Sequence, residues 1–165
     1  MNGSRLLRHL AAGWRPVVTL NEVELQALRA QVQRIEVQHL AEVRICLEQR
    51  WPLAAAASGL TVRTRAMQVF AELGVWDTEH NTGLLIYVDV ADHAVEIVAD
   101  RGLNAVVTPE DWAAVLRPMR EAFQKRLYAR GLGRGLNTLD ALLAAHLEPA
   151  HRTNTNELPD LPLLR

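Results

Sequence analysis

The sequence predicts an α/β fold, a three-layer α/β/α sandwich with a small mixed β-sheet flanked by helices. Three observations lead there. Residues 83–90, GLLIYVDV, are apolar on both faces for most of their length, as a strand in the middle of a sheet must be. A polar reversal at Ala91-Asp92-His93 leads straight into AVEIVA at 94–99, and two strands joined so closely run antiparallel. Segments of helical period alternate with these strands in the order helix, strand, helix, strand, strand, helix, helix.

Each element has its own local cause. Residues 4–13, SRLLRHLAAG, form a short amphipathic helix with Leu6, Leu7 and Leu10 on one side, expected to dock on the domain. A basic membrane-surface helix is its sharper reading. Asn21 with Glu24 forms a capping box, and Leu25, Leu28, Val32 and Ile35 follow at helical spacing, which predicts a helix over 22–38. In AEVRICLE, 41–48, Val43, Ile45 and Leu47 alternate with Glu42, Arg44, Cys46 and Glu48, a strand with one wet face. Thr61 caps a helix carrying Val62, Ala66, Val69, Phe70 and Leu73, and Gly74 ends it. This helix joins strands 41–48 and 83–90 as a right-handed parallel crossover.

Thr108-Pro109-Glu110-Asp111 opens the next helix with a cap, a proline at the first helical position and two acids against the dipole. Trp112, Val115, Leu116, Met119 and Phe123 face its core side, and Pro118 should kink it. Leu136, Leu139, Leu143 and Leu147 mark the last helix, and Gly131 to Gly135 before it reads as a helix stop with a tight turn. The expected organisation is an amphipathic segment at 1–20, a main domain at 21–149 and a disordered tail at 150–165.

The bulk numbers narrow the function. An apolar fraction of 49% supports a sizeable core. Eighteen basic against 19 acidic residues give a charge of −1, without the basic field that nucleic-acid binding needs. The single cysteine, Cys46, allows no intrachain disulfide and suits a reducing compartment. No stretch approaches the roughly 20 apolar residues of a spanning helix. A cytoplasmic protein is the expectation.

The hairpin separates two polar rims by about 20 Å, six residues at about 3.3 Å each. Asp100 returns to the start of the central strand, where Asp77, Glu79, His80, Asn81, His39 and Glu42 also arrive. Asp77, Glu79 and Asp100 are the candidate metal ligands there, oxygen donors of the kind Ca²⁺ or Mg²⁺ requires. Asn81, Asp100, Arg101 and Glu42 are the candidate ligand-binding residues. Strand ends and turns are polar in any fold, and that ordinary role is favoured for this rim. It is favoured more strongly for Asp89, Asp92 and His93 at the tip.

Complete catalytic signatures are missing. Gly131 to Gly135 follows a helix and lacks Gly-Lys-Ser/Thr, Cys46 has Pro52 where a thiol phosphatase needs arginine, and no G-x-S-x-G occurs.

The segments RHL, HLAEVRICLE, TRAMQVFAELGVWDTEHNTGLLIYVDVADHAVEIVADRGL, VTPEDW and YARGLGRGLNTLDALLAAHLEP together resemble the TPM domain family. They are most similar to its short bacterial branch without membrane anchors, and the likeness spans about residues 5 to 149. The resemblance implies an α/β/α sandwich. It also brings the activities proposed for members, divalent-cation binding and phosphatase chemistry. Relatives include thylakoid-lumen proteins tied to photosystem repair and membrane-receptor modulators. The family's Asn-Gly before the central strand is Asn81-Thr82-Gly83 here, and the branch's His-x-Gly-Glu is His39-Leu40-Ala41-Glu42. The expectation is a non-catalytic binding or accessory module acting on membrane-protein assembly or maintenance, its protein partner and oligomeric state unspecified. The alternative is a cation-dependent phosphatase with Asp77, Glu79 and Asp100 on the ion and Arg101 on phosphate.

Overall fold

A computed structural model of the chain describes residues 3–12, 18, 20–147 and 156–165. The elements run α1 (Gly3–Ala12), α2 (Glu22–Gln38), β1 (Glu42–Glu48), α3 (Leu53–Ala57), α4 (Val62–Glu72) and β2 (Gly83–Asp89). They continue with β3 (Ala94–Ala99), α5 (Arg101–Asn104), α6 (Pro109–Phe123), α7 (Tyr128–His146) and β4 (Leu163–Leu164). The sheet order is β3-β2-β1-β4. β1 and β2 are parallel, with Glu42 opposite Gly83 and Glu48 opposite Asp89. β2 and β3 form the antiparallel hairpin, with Leu84 opposite Ala99 and Asp89 opposite Ala94. This is the mixed α/β sandwich that the periodicity predicts.

Strand alternation divides the core between two layers. Val43, Ile45, Leu47, Leu84, Ile86 and Val88 pack with Leu28, Val32 and Ile35 of α2 and with the leucines of α7. Cys46, Leu85, Tyr87 and Val98 face the other way, onto Ala66 and Val69 of α4. The caps form as the sequence requires: Asn21 with Glu24 on α2, Thr108 with Asp111 on α6, and Thr61 on α4.

Four expectations need correction. β1 has no wet face, since all seven of its residues are buried. The second face is covered by the chain's own end: residues 156–165, expected as a disordered tail, lie along it, and β4 pairs with Cys46 and Leu47. Arg44 anchors this strap by donating from Nη1 to the carbonyls of Pro159 and Leu161, both at 2.6 Å. The cause is the open edge of β1, which a segment with Leu158 buried can cover. Residues 150–155 of that expected tail lie outside the described residues.

Gly131 to Gly135 does not stop a helix but lies inside α7. A Cβ on Gly131 would stand 2.6 Å from Phe123 Cε1, and one on Gly135 would stand 1.9 Å from Met119 Cε. These glycines let α7 approach α6 closely. The loop after β1 contains α3, and Asp100 caps the short α5. Finally, α1 docks on the domain, but through its polar side.

Candidate functional site

The two polar rims are separate, and the hairpin register brings Asp100 back to the start of β2 as expected. Asp100 N–H donates to the Gly83 carbonyl at 2.8 Å, and Gly102 N–H to the Asn81 carbonyl at 2.9 Å. A Cβ at Gly102 would lie 2.6 Å from that Asn81 oxygen, so the close approach requires glycine. Asn81 itself sits at φ 55, a left-handed position that asparagine tolerates.

The predicted residues of this rim are mostly engaged with the chain itself. Arg101 donates from Nε and Nη2 to Asn81 Oδ1, at 3.0 and 2.7 Å. Glu42 Oε2 accepts the Glu157 and Leu158 amides, both at 3.1 Å. Asp100 Oδ1 accepts from Arg101 N, whereas its Oδ2 is buried with no partner among the described residues. Asp77 and Glu79 are exposed on the approach loop. Among the described residues, Asp77, Glu79 and Asp100 do not form a group with donor atoms within 4.8 Å of one another. As placed, they do not fit a shared Ca²⁺ or Mg²⁺ ion. His39 stands apart, its Nε2 3.0 Å from Asp140 Oδ1.

The tip rim is richer than the sequence suggested. It lies at the carboxyl ends of parallel β1 and β2, where open α/β sheets place their ligands. Glu48 ends β1 and Asp89 ends β2, side by side in the register. Glu48 is held by Arg65, whose Nη2 and Nε donate to its two oxygens at 2.7 and 2.9 Å. Tyr87 Oη donates to Glu48 Oε2 at 2.5 Å, and Trp51 Nε1 donates to that phenol at 2.8 Å. Burial and the neighbouring carboxylate raise the Tyr87 phenol pKa, so it stays a neutral donor.

α1 closes this rim. Arg5 Nε and Arg8 Nε donate to the two oxygens of Asp92, at 2.6 and 2.7 Å. Arg5 also donates to the Leu60 carbonyl and lies over the Trp51 ring. His9 is fully buried, its Nε2 3.9 Å from both Asp89 Oδ2 and Asp92 Oδ1. His9, Asp89 and Asp92 are the three donors that the described residues bring within 4.8 Å, the spacing a metal ion needs.

The tautomer argues against that use. His9 Nδ1 accepts a hydrogen bond from the Trp51 amide at 3.0 Å, so its lone pair is taken and the ring proton of the neutral form sits on Nε2. An Nε2–H cannot ligate a metal, and at 3.9 Å from both acids it makes no hydrogen bond among the described residues. Burial lowers the His9 pKa, and a second ring proton would point at the Trp51 amide. Burial likewise pushes Asp89 up to about 7, while the two guanidinium groups offset burial and hold Asp92 below its ordinary value. The rim is therefore a neutral imidazole, a protonatable acid and one arginine-paired carboxylate.

Sequence reasoning missed His9, Trp51 and Tyr87 here. The parallel crossover alone could have placed Glu48 beside Asp89. Nothing local ties His9 to residues 42 positions away.

Comparison with known proteins agrees with this architecture. The BA42 protein from the psychrophilic bacterium Bizionia argentinensis is similar at 27% identity, covering 92% of this chain and 99% of that one, with a TM-score of 0.78. Two further structures share the fold. The N-terminal domain of a protein from P. gingivalis has 17% identity and TM-score 0.65, covering 81% of this chain and 82% of its own. The N-terminal domain of the cg2496 protein from Corynebacterium glutamicum has 8% identity and TM-score 0.56, covering 88% and 80%. A search of curated proteins returned no match. The TPM domain model matches residues 16–142, most of the chain and every strand of the β1–β2–β3 unit, so this chain belongs to the TPM domain family.

Proposed function

We propose that the protein is a binding and accessory module rather than a hydrolase, with a membrane-associated protein as partner. The observation that carries this reading is that Glu42, Asn81, Arg101 and Glu48 are engaged by the chain itself. At one rim Asn81 Oδ1 accepts from Arg101 Nε and Nη2, and Glu42 takes two strap amides. At the other, Glu48 is enclosed by Arg65 and Tyr87. Cys46 is fully buried and its thiol is pushed up to about 11, the opposite of what a nucleophile needs.

One observation favours the phosphatase alternative: Asp100 Oδ2 is buried with no partner among the described residues. The deciding experiment joins two measurements on the full chain. Cross-linking and recovery from its native cells should return a membrane-associated partner. A phosphate-ester assay with Mg²⁺ or Ca²⁺ should show no turnover, and turnover abolished by Asp100→Ala would establish the phosphatase instead.

A further inference from the structure

α1 is turned the wrong way for a helix that docks only to bury its apolar side. In such helices the apolar stripe faces the core and the polar residues face water. At 100° per residue, Arg5, His9 and Ala12 share one face of α1, and Leu7 and Leu10 lie on the other. The structure puts the first face down: Arg5 on Asp92, His9 fully buried against Trp51. Leu7 is left 67% exposed and Leu10 43% exposed. A second apolar side chain group stands close by, because α3 packs beside α1 and its Leu53 is 54% exposed.

The exposed charge beside these leucines is basic. Residues 3–12 and 50–57, which carry α1 and α3, contain no Asp or Glu. Arg8 keeps about half of its side chain in solvent at 49%, and Arg50, next to Trp51, is exposed. Outward leucines rimmed by arginines match an anionic lipid surface, where leucines enter the headgroup boundary and guanidinium groups meet phosphates. They match a neutral protein groove less well, since that offers no partner to the arginines.

We infer that the outer face of α1, Leu7 and Leu10 with Leu53 of α3, docks the protein on anionic membrane surfaces. The helix stays attached to the domain while it does so, because its anchoring residues lie on the opposite face. Two or three leucines give a weak hold by themselves, so binding depends strongly on lipid charge and falls with salt. This inference does not depend on the accessory-module reading, which concerns a protein partner.

The test is flotation of the full chain with vesicles of phosphatidylcholine alone or mixed with phosphatidylglycerol. The expected result is flotation with the mixed vesicles at low salt and little with phosphatidylcholine. The double variant Leu7→Asn/Leu10→Asn should lose roughly tenfold or more of the binding. Both positions are exposed, so an unchanged thermal midpoint confirms that the variant is folded. Leu7→Met/Leu10→Met should restore flotation. Absence of flotation with anionic vesicles overturns the inference, as does flotation unchanged in the Asn variant. If the wild type instead sediments as a dimer that the Asn variant abolishes, without flotation, the face belongs to a second copy and the lipid assignment is wrong. None of these outcomes bears on whether a protein partner is recovered from cells.

Discussion

His9 and Asp89 define the chemistry of the α1 contact at the scale of single residues. Burial favours the uncharged form of each group, raising the Asp89 pKa and lowering that of His9. Folding therefore favours proton binding at the acid and proton loss at the imidazole. The signs follow from each pKa. Asp89, raised from 3.8 to about 7, contributes stability that is full below its unfolded value and lost as pH rises through about 7. His9, lowered from 6.5, contributes stability that is full above 6.5 and lost as pH falls below it. Where both groups titrate, below pH 6.5, the two slopes oppose each other. Asp89→Asn removes only the acid's part, so relative to wild type it should gain stability steadily as pH rises from about 4 to 7. One pKa unit corresponds to about 1.4 kcal/mol, so the gain is roughly 2–4 kcal/mol. Urea midpoints for wild type and Asp89→Asn at several pH values measure it; a pH-independent difference would mean that Asp89 is already ionised in the fold.

The α6–α7 pair shows how packing overrides local sequence signals at the scale of elements. Gly131-Leu132-Gly133-Arg134-Gly135 looks like punctuation, because glycine in a helix costs about 1 kcal/mol against alanine. Tertiary contact reverses that reading at two of the three positions. A methyl at Gly131 would press on the Phe123 ring and on Ala122 Cβ, 2.9 Å away, and neither can swing aside. Gly131→Ala should therefore lower stability by about 1–3 kcal/mol, despite its better helix propensity. Gly133 meets only the flexible end of Gln31, at 3.2 Å. Gly133→Ala should raise stability by up to about 1 kcal/mol. Thermal midpoints of the two variants, moving in opposite directions, check the close helix approach; a stabilised Gly131→Ala would contradict it.

Much of this scale was nonetheless legible. Asn21, Thr61 and Thr108 announced their helices because a cap needs a side chain and an amide three residues on, information held entirely in the local sequence. The buried state of Arg44, Cys46 and Glu48 was not legible. Their alternation with Val43, Ile45 and Leu47 reads as a wet face whether water or another segment covers it.

At the scale of the whole molecule, the 156–165 strap closes the edge of β1 and ties the end of the chain to its centre. Leu158, Asp160 and Pro162 are turned inward while Pro159 and Leu161 face out, the alternation of an extended segment lying in a groove. Its hold is largely polar: Arg44 on two carbonyls, Glu42 on two amides, and Gln33 Nε2 on Asp160 Oδ2 at 2.7 Å. Glu36, raised by burial to about 8, sits close to Asp160 and adds no full charge to that corner at neutral pH. Arg44→Met should loosen the strap without unfolding the domain. Hydrogen exchange at the Gln49 and Arg165 amides, which bond across the β1 edge, should quicken by about tenfold or more, the equivalent of a lost hydrogen bond to a charged group. Amides of α7 should not change; acceleration throughout would make the strap part of the cooperative core.

The sequence by itself determined the order of the long helices and of β1 to β3, their caps, the β1–β2–β3 pairing and the return of Asp100 to Asn81. Each of these follows from periods and turns spanning a few residues, or from a crossover with one allowed hand. Only the tertiary structure decided which side of α1 faces inward, what covers β1 and what the α7 glycines are for. Those depend on partners such as Arg44 and Leu161, 117 positions apart. No local pattern encodes such contacts; they emerge when burial, charge pairing and backbone satisfaction are settled together.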